Sequence, residues 1–183
     1  MSSYPAHLSR TWTLPSGETL ALRPVRHDDV ALEEAFVRSL SRETGYQRML
    51  TGGLKVTPEW LDRMTHIDYE HHMAFAVTTS SAGAEQFVAV GRYVVDAGKP
   101  SAEFAVVVAD AWQRKGLGRR LLQVLLEHAR DAGMDEMTGV VLATNTPMLR
   151  LAHSMGFAVT AEPDDATIRR IRRPLRVANS QSA

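Results

Sequence analysis

Gln113-Arg114-Lys115-Gly116-Leu117-Gly118 is the stretch whose residue types and spacing point most directly to chemistry. Its glycines free backbone N–H groups to approach a ligand. The amphipathic run that follows makes the loop a helix start, where a partial positive charge suits a phosphate or pyrophosphate. Arg114, Lys115, Arg119 and Arg120 crowd that start, each opposed by the helix dipole by roughly a few tenths of a kcal/mol, a conflict that an anionic ligand removes. A solvated basic turn with glycines serving only geometry accounts for the same residues. Two other phosphate motifs fail. Gly116-Leu117-Gly118 continues as Arg119-Arg120-Leu121 without the third glycine of a dinucleotide fingerprint, and no lysine precedes a serine or threonine as in a P-loop.

Upstream of the loop, Glu103 stands in an otherwise apolar strand. A carboxylate there should be partly desolvated, which would make it a better base; the alternative is an exposed acid at a strand's start. The absence of cysteine removes disulfides, thiolate zinc sites and a thiol nucleophile. Seven histidines remain. His71-His72 follows Glu70, and His66 lies five residues before His71, but no HExxH spacing exists and a strand follows. A structural or surface role, and no metal centre, is expected. Trp60, Trp112, Met49 and Met64 read as packing residues.

The elements that must position these groups fit a chain of 183 residues, 44% hydrophobic, which is enough for one core. Twenty-one basic residues cancel 21 acidic ones, so no summed field is available to hold a nucleic acid or an anionic membrane. Met1 to Thr11 lacks the pattern of a signal peptide, and no window approaches a membrane span, so a soluble, cytoplasmic protein is expected. The expected organisation is a tail over residues 1–11, one domain over 12–176 and a disordered tail over 177–183.

Pro15-Ser16-Gly17 predicts a hairpin between Trp12–Leu14 and Thr19–Val25. Asp28 and Asp29 can cap a helix ending near Ser39, and Thr57-Pro58-Glu59 opens another to about Ile67. Ser41 to Val56 has little periodicity and reads as irregular. Met73–Thr79, Gln86–Val95 and Ala102–Ala109 form an antiparallel meander whose third strand is central. A helix follows from Arg114 to Gly133, then a strand over Thr138–Ala143, a helix opened by Thr146-Pro147, and a strand from Phe157. Thr167 to Arg176, with five arginines, reads as an edge strand protected by charge or as a patch for an acidic partner. The order implies an α+β fold: a mixed, mainly antiparallel central sheet flanked by helices.

Ala102-Glu103-Phe104-Ala105-Val106-Val107-Val108, the Gln-x-x-Gly-x-Gly loop, the helix after it, Leu142-Ala143-Thr144-Asn145 and Met155-Gly156-Phe157 together resemble a GNAT-family N-acetyltransferase. Leu22-Arg23-Pro24-Val25, Asp28-Asp29, and Leu40-Ser41 with Tyr46 and Arg48 resemble the acetyltransferase domain of bacterial Pat-type protein lysine acetyltransferases. The resemblance implies an acetyl-CoA site. In it Val106 and Val108 would bond the pantetheine arm through their main chain, and Gln113, Arg114, Lys115, Gly116, Leu117, Gly118 and Arg119 would hold the pyrophosphate through N–H groups. Asn145 would orient the cofactor, although it also reads as an ordinary turn or cap residue.

Glu103 is then the expected proton acceptor, because a lysine ammonium with a pKa near 10.4 cannot attack a thioester until it loses a proton. Tyr46 and Arg48 fall in the segment that would face the acceptor, where ordinary loop packing is an equal reading. Many family members use a tyrosine on the last short helix as general acid; the aligned residue here is Ala152, with His153 beside it read as a surface residue. The expected function is acetyl transfer to an amine, a protein lysine first, with a small amine or a non-catalytic acyl-CoA sensor as alternatives. The expected state is a monomer or homodimer without nucleic-acid or membrane partners.

Overall fold

A computed structural model of the chain describes residues 3–49, 55–81 and 83–176. Eight strands form one sheet in the order β1-β2-β3-β4-β5-β6-β8-β7. They are β1 (Arg10–Thr13), β2 (Thr19–Pro24), β3 (His72–Ser81), β4 (Ala84–Val95), β5 (Ser101–Val108), β6 (Glu136–Leu142), β7 (Ala158–Glu162) and β8 (Asp165–Pro174). All pairs are antiparallel except β5 with β6, so the expected mixed, mainly antiparallel α+β fold is found. The helices are α1 (Val30–Ser39), α2 (Arg42–Met49), α3 (Pro58–Thr65), α4 (Leu117–Asp131) and α5 (Thr146–Ser154).

The two faces of the sheet hold separate cores. Leu117, Leu121, Leu122 and Leu125 of α4 pack with Phe75, Phe104, Met137 and Ile171 on one face. Phe36, Val37, Trp60 and Leu61 of α1 and α3 pack with Phe87, Val90 and Val107 on the other. Gly91 in β4 permits the close seating of α4, since a Cβ there would meet Leu121 Cγ at 2.7 Å.

Three expectations are corrected. Residues 42–49 are helical, not irregular. The helix has no apolar stripe to register as periodicity; its start is fixed by Ser41, whose Oγ accepts from the Thr44 amide at 3.2 Å. β8 is not an edge strand. A tight connection after Glu162 folds it back between β6 and β7, which leaves β7 at the edge. Arg170 and Arg172 belong to an open face, paired with Glu162 and Glu136, while the intervening Ile171 is buried. The N-terminal segment expected as a tail is held in place as well. β1 begins at Arg10, Leu8 packs on the core, and the Tyr4 hydroxyl donates to Pro24 O at 3.2 Å. Residues 177–183 lie outside those described.

The decisive feature is the β5–β6 contact. It covers only Ser101↔Glu136, Ala102↔Met137 and Glu103↔Thr138. Beyond Glu103 the two strands no longer pair, and Phe104 fills the vertex against Phe157, with ring centroids 5.3 Å apart. Gly139 makes room for that ring: a Cβ there would lie 3.0 Å from Phe104 Cε1.

Candidate active site

The opening between β5 and β6 is a cleft of about 670 Å³, within the size range of small-molecule sites. Its walls are Phe104 to Val108 on one side, Gly139 to Val141 on the other, and the start of α4 at the end. β5 turns main-chain groups into it. The Ala109 amide donates to Val88 O at 2.9 Å, with Val108 opposite Ala89 in the register. By antiparallel alternation, the N–H and C=O of Val108, Val106 and Phe104 therefore point away from β4, toward the unpaired side.

The start of α4 supplies the other donors. Gly116 holds φ +83 as the N-cap and no side chain caps the helix. The amides of the first turn have no intrahelical acceptors. Arg114 is also left-handed, at φ +61. At Gly118 a Cβ would sit in ordinary contact with Leu151 and Val108, 3.4 and 3.8 Å away, at the floor of the cleft.

Of the residues expected to hold the cofactor, Val106, Val108, Gln113, Arg114, Gly116, Leu117, Gly118, Arg119 and Asn145 all line this cleft. Lys115 does not. Its ammonium lies 4.4 Å from the Trp112 ring centroid and 3.4 Å from Glu18 Oε2. The Gln113 side chain is engaged within the protein, donating to Thr44 Oγ1 and Val108 O at 3.2 Å each. Asn145 is the α5 N-cap, accepting from the Met148 amide at 3.1 Å, so the helix is capped one residue earlier than Thr146.

Glu103 sits at the vertex, on the face opposite Phe104. It is exposed, so the desolvation expected from its apolar strand is not found. The apolar neighbours Ala102 and Phe104 point to the α4 face; beside Glu103 in register are Val94, 49% exposed, and Thr138. Tyr46 is 47% exposed on α2 and does not line the cleft. Arg48 also lies on α2, with its side chain outside the described residues. Ala152 is fully buried in α5, so the position aligned with a general-acid tyrosine holds a core methyl group.

Sequence reasoning missed the α2 contribution. Thr44 and Gln47 line the cleft, and Asp110 ties α2 to the loop before α4. Its carboxylate accepts from the Ser41 amide at 2.9 Å, Ser41 Oγ at 2.7 Å and Thr44 Oγ1 at 2.8 Å. These bonds hold its carboxyl below the usual range, the Ser41 amide contributing most. Arg150, about one turn into α5, also faces the cleft and was not singled out.

A family model described as the acetyltransferase (GNAT) family matches residues 31–157. The chain belongs to the GNAT acetyltransferase family. It is 33% identical over 155 residues to acetyltransferase PA5475 of Pseudomonas aeruginosa, covering 85% of this chain and 83% of that one. Over 67 residues, 37% of this chain and 39% of the relative, it is 40% identical to the L-amino acid N-acyltransferase MnaT of Escherichia coli. Among solved structures, the GNAT domain of S. lividans PAT superposes with a TM-score of 0.83 at 26% identity, covering 94% of this chain and 99% of that one. This GNAT protein is an N-acetyltransferase that uses acetyl-CoA and transfers the acetyl group to an amine. The cleft fits that cofactor on its own chemistry: unpaired main-chain groups along β5, uncapped amides at α4, and Arg114, Arg119 and Arg150 around an apolar floor. No helix among the described residues is long and apolar enough to cross a membrane.

Proposed function

We propose that the acceptor is a lysine side chain presented by another protein, and that Glu103 takes its proton. The observation that carries this reading is the openness of the sheet face around Glu103. The register runs His72↔Val94↔Glu103↔Thr138↔Arg172 across five strands. Glu103 and Arg172 are exposed and Val94 is half-exposed. Small substrates are usually enclosed by their sites, whereas a lysine on a protein surface needs an approach of this open kind. On the α1–α3 face, the recess lined by Glu33, Phe36, Trp60, Arg92 and Val107 has a volume of about 10 Å³, room for about one water. The likeness to the S. lividans PAT domain over 94% of the chain supports the same acceptor class.

Acetyl-CoA supplies an activated thioester whose carbonyl carbon accepts the amine and whose sulfur leaves as the thiolate. Val106 and Val108 would hold the pantetheine amides, and Arg114, Gly116, Leu117, Gly118 and Arg119 the diphosphate. Lys115 would contribute its backbone amide only, and Asn145 would face the pantetheine from α5. Glu103 would accept the ammonium proton directly or through one water, leaving a neutral amine for attack. Main-chain N–H groups of Phe104 and Val106 would polarise the carbonyl as negative charge develops on its oxygen. Tyr46 and Arg48, on α2, would meet the flanks of the acceptor peptide.

Incubation of the purified protein and acetyl-CoA with a lysate, followed by mass spectrometry, tests this reading. Acetyl-lysine on a restricted set of proteins is expected. Acetylation of free amino acids with no protein lysine modified would transfer the assignment to the small-amine class, to which the MnaT likeness points.

A further inference from the structure

We propose that His27, Asp62 and His66 form a surface site for a divalent metal of the zinc class. The three side chains come from two separate elements. Asp62 lies in the last turn of α3 and His66 is that helix's C-cap, four residues on, so both side chains share one face. The His66 amide donates to Asp62 O at 2.7 Å, which fixes the turn that carries them. His27 opens the 3-10 turn His27–Asp29 directly after β2. That turn is firmly held: Asp29 accepts two bonds from the Arg23 guanidinium, at 2.7 and 2.8 Å, and one from the Arg26 amide at 2.7 Å.

One donor atom from each residue lies within 4.8 Å of the others. His66 Nδ1 stands 3.8 Å from Asp62 Oδ1, and the two imidazoles meet edge to face with centroids 4.8 Å apart. In a tetrahedral sphere with bonds of about 2.0–2.2 Å, donor atoms sit roughly 3.3 Å apart. The required contraction is therefore about 0.5 Å for the Asp62–His66 pair and at most about 1.5 Å for the widest pair, within reach of exposed side chains on fixed backbone. Two imidazoles and one carboxylate favour zinc, cobalt, nickel or copper over magnesium and calcium, which prefer all-oxygen shells. Three protein ligands leave further positions to water. None of the three residues lines the acetyl-CoA cleft, so the site is independent of the transfer reaction. A bound ion would staple the β2–α1 junction to α3.

Calorimetric titration of ZnCl2 into the wild-type protein and into the variants His27→Ala, Asp62→Asn and His66→Ala tests the site. One equivalent should bind the wild type with a dissociation constant on the order of micromolar. Each variant should weaken it at least about tenfold, the loss that even an outer-sphere change causes at metal sites. Co2+ should give visible absorption bands with the wild type that are lost in His66→Ala, and Zn2+ should raise the wild-type melting temperature only. Absence of saturable zinc binding, or equal binding by wild type and all three variants, would overturn the proposal. All three residues are exposed, so the variants report on binding and not on folding.

Discussion

The two faces of β5 are built by different physics. On the α4 face, Leu117, Leu121, Leu122 and Leu125 are essentially inaccessible, and the only polar groups turned to the cleft from β5 belong to its main chain. On the α1–α3 face, charges are buried instead. Arg92 bonds Glu33 at 3.1 Å with side-chain exposures of 6% and 3%, and Arg23 is clamped between Asp29 and Glu85. Burial works against the Arg23 charge, yet the two carboxylates hold its pKa above the ordinary arginine value. Apolar burial is non-directional and tolerates small changes, whereas a buried ion pair fails when one partner is lost. The α4 wall should therefore tolerate volume-conserving apolar changes, whereas the α1–α3 wall should be sensitive to the loss of a single charge.

The sharpest separation is expected at Glu103, which lies on the proposed acceptor face while its neighbours Phe104 and Val106 line the cleft. Glu103→Gln should lower turnover by about 10²–10⁴-fold, the usual contribution of a positioned base, with acetyl-CoA affinity unchanged by calorimetry. Gly118→Glu should do the opposite and abolish binding, because the added carboxylate occupies the place of the diphosphate. Equal turnover of wild type and Glu103→Gln would remove Glu103 from the chemistry.

Next in size is the buried pair. Arg92→Met deprives Glu33 of its guanidinium and should cost about 3–5 kcal/mol in urea unfolding, most of it recovered by the double change Arg92→Met, Glu33→Leu. Gly91→Ala, one residue away but directed at α4, offers the contrast. There the strain is steric, from Leu121 Cγ at 2.7 Å, and no second charge change can relieve it.

His72 reports the same face by titration. It is largely buried and close to Arg92, 3.5 Å from Nη1; burial first, then the Arg92 charge, pushes its pKa down from 6.5 to about 4. Between these values the unfolded chain binds the proton and the folded chain does not, so stability is intact above pH 6.5 and falls as the pH drops toward 4. The loss should be about 1–3 kcal/mol after allowance for partial exposure. Chemical denaturation across that range should show the slope, flattened in His72→Gln.

What could be read in advance follows the same division. The strands, α4 and the glycine loop announce themselves through period-two and period-3.6 patterns and through turn residues, and nine of the ten positions assigned to the cofactor line one cleft. Lys115 departs because an aromatic ring and Glu18 compete for its ammonium. The side proposed for the acceptor was hidden. α2 has no apolar stripe, Glu103 owes its exposure to the register with Val94 and Thr138, and β8 owes its interior place to a tight turn followed by pairing with β6. The last two depend on residues far apart in sequence, to which local periodicity is blind. The meeting of His27 with Asp62 and His66 belongs to the same class.

Asp110 gives the smallest effect and the finest test, because it joins the two walls. It stands between β5 and the glycine loop, yet its carboxylate caps α2 from outside, bonding both Ser41 and Thr44. Thr44 in turn receives Gln113 of the loop. Removing the carboxylate should loosen α2 by about 0.5–2 kcal/mol, the range for a lost helix cap. A purely structural role would lower stability and leave the kinetic constants alone, but α2 contributes Thr44 and Gln47 to the cleft as well as carrying Tyr46. A positioning role instead predicts that Asp110→Ala raises KM for the acceptor several-fold with kcat and acetyl-CoA affinity nearly unchanged, and that Asp110→Asn, which keeps an acceptor oxygen, restores most of the difference. A matching rise in both KM values would mean that the walls are not separable, and that the loop and α2 move as one body.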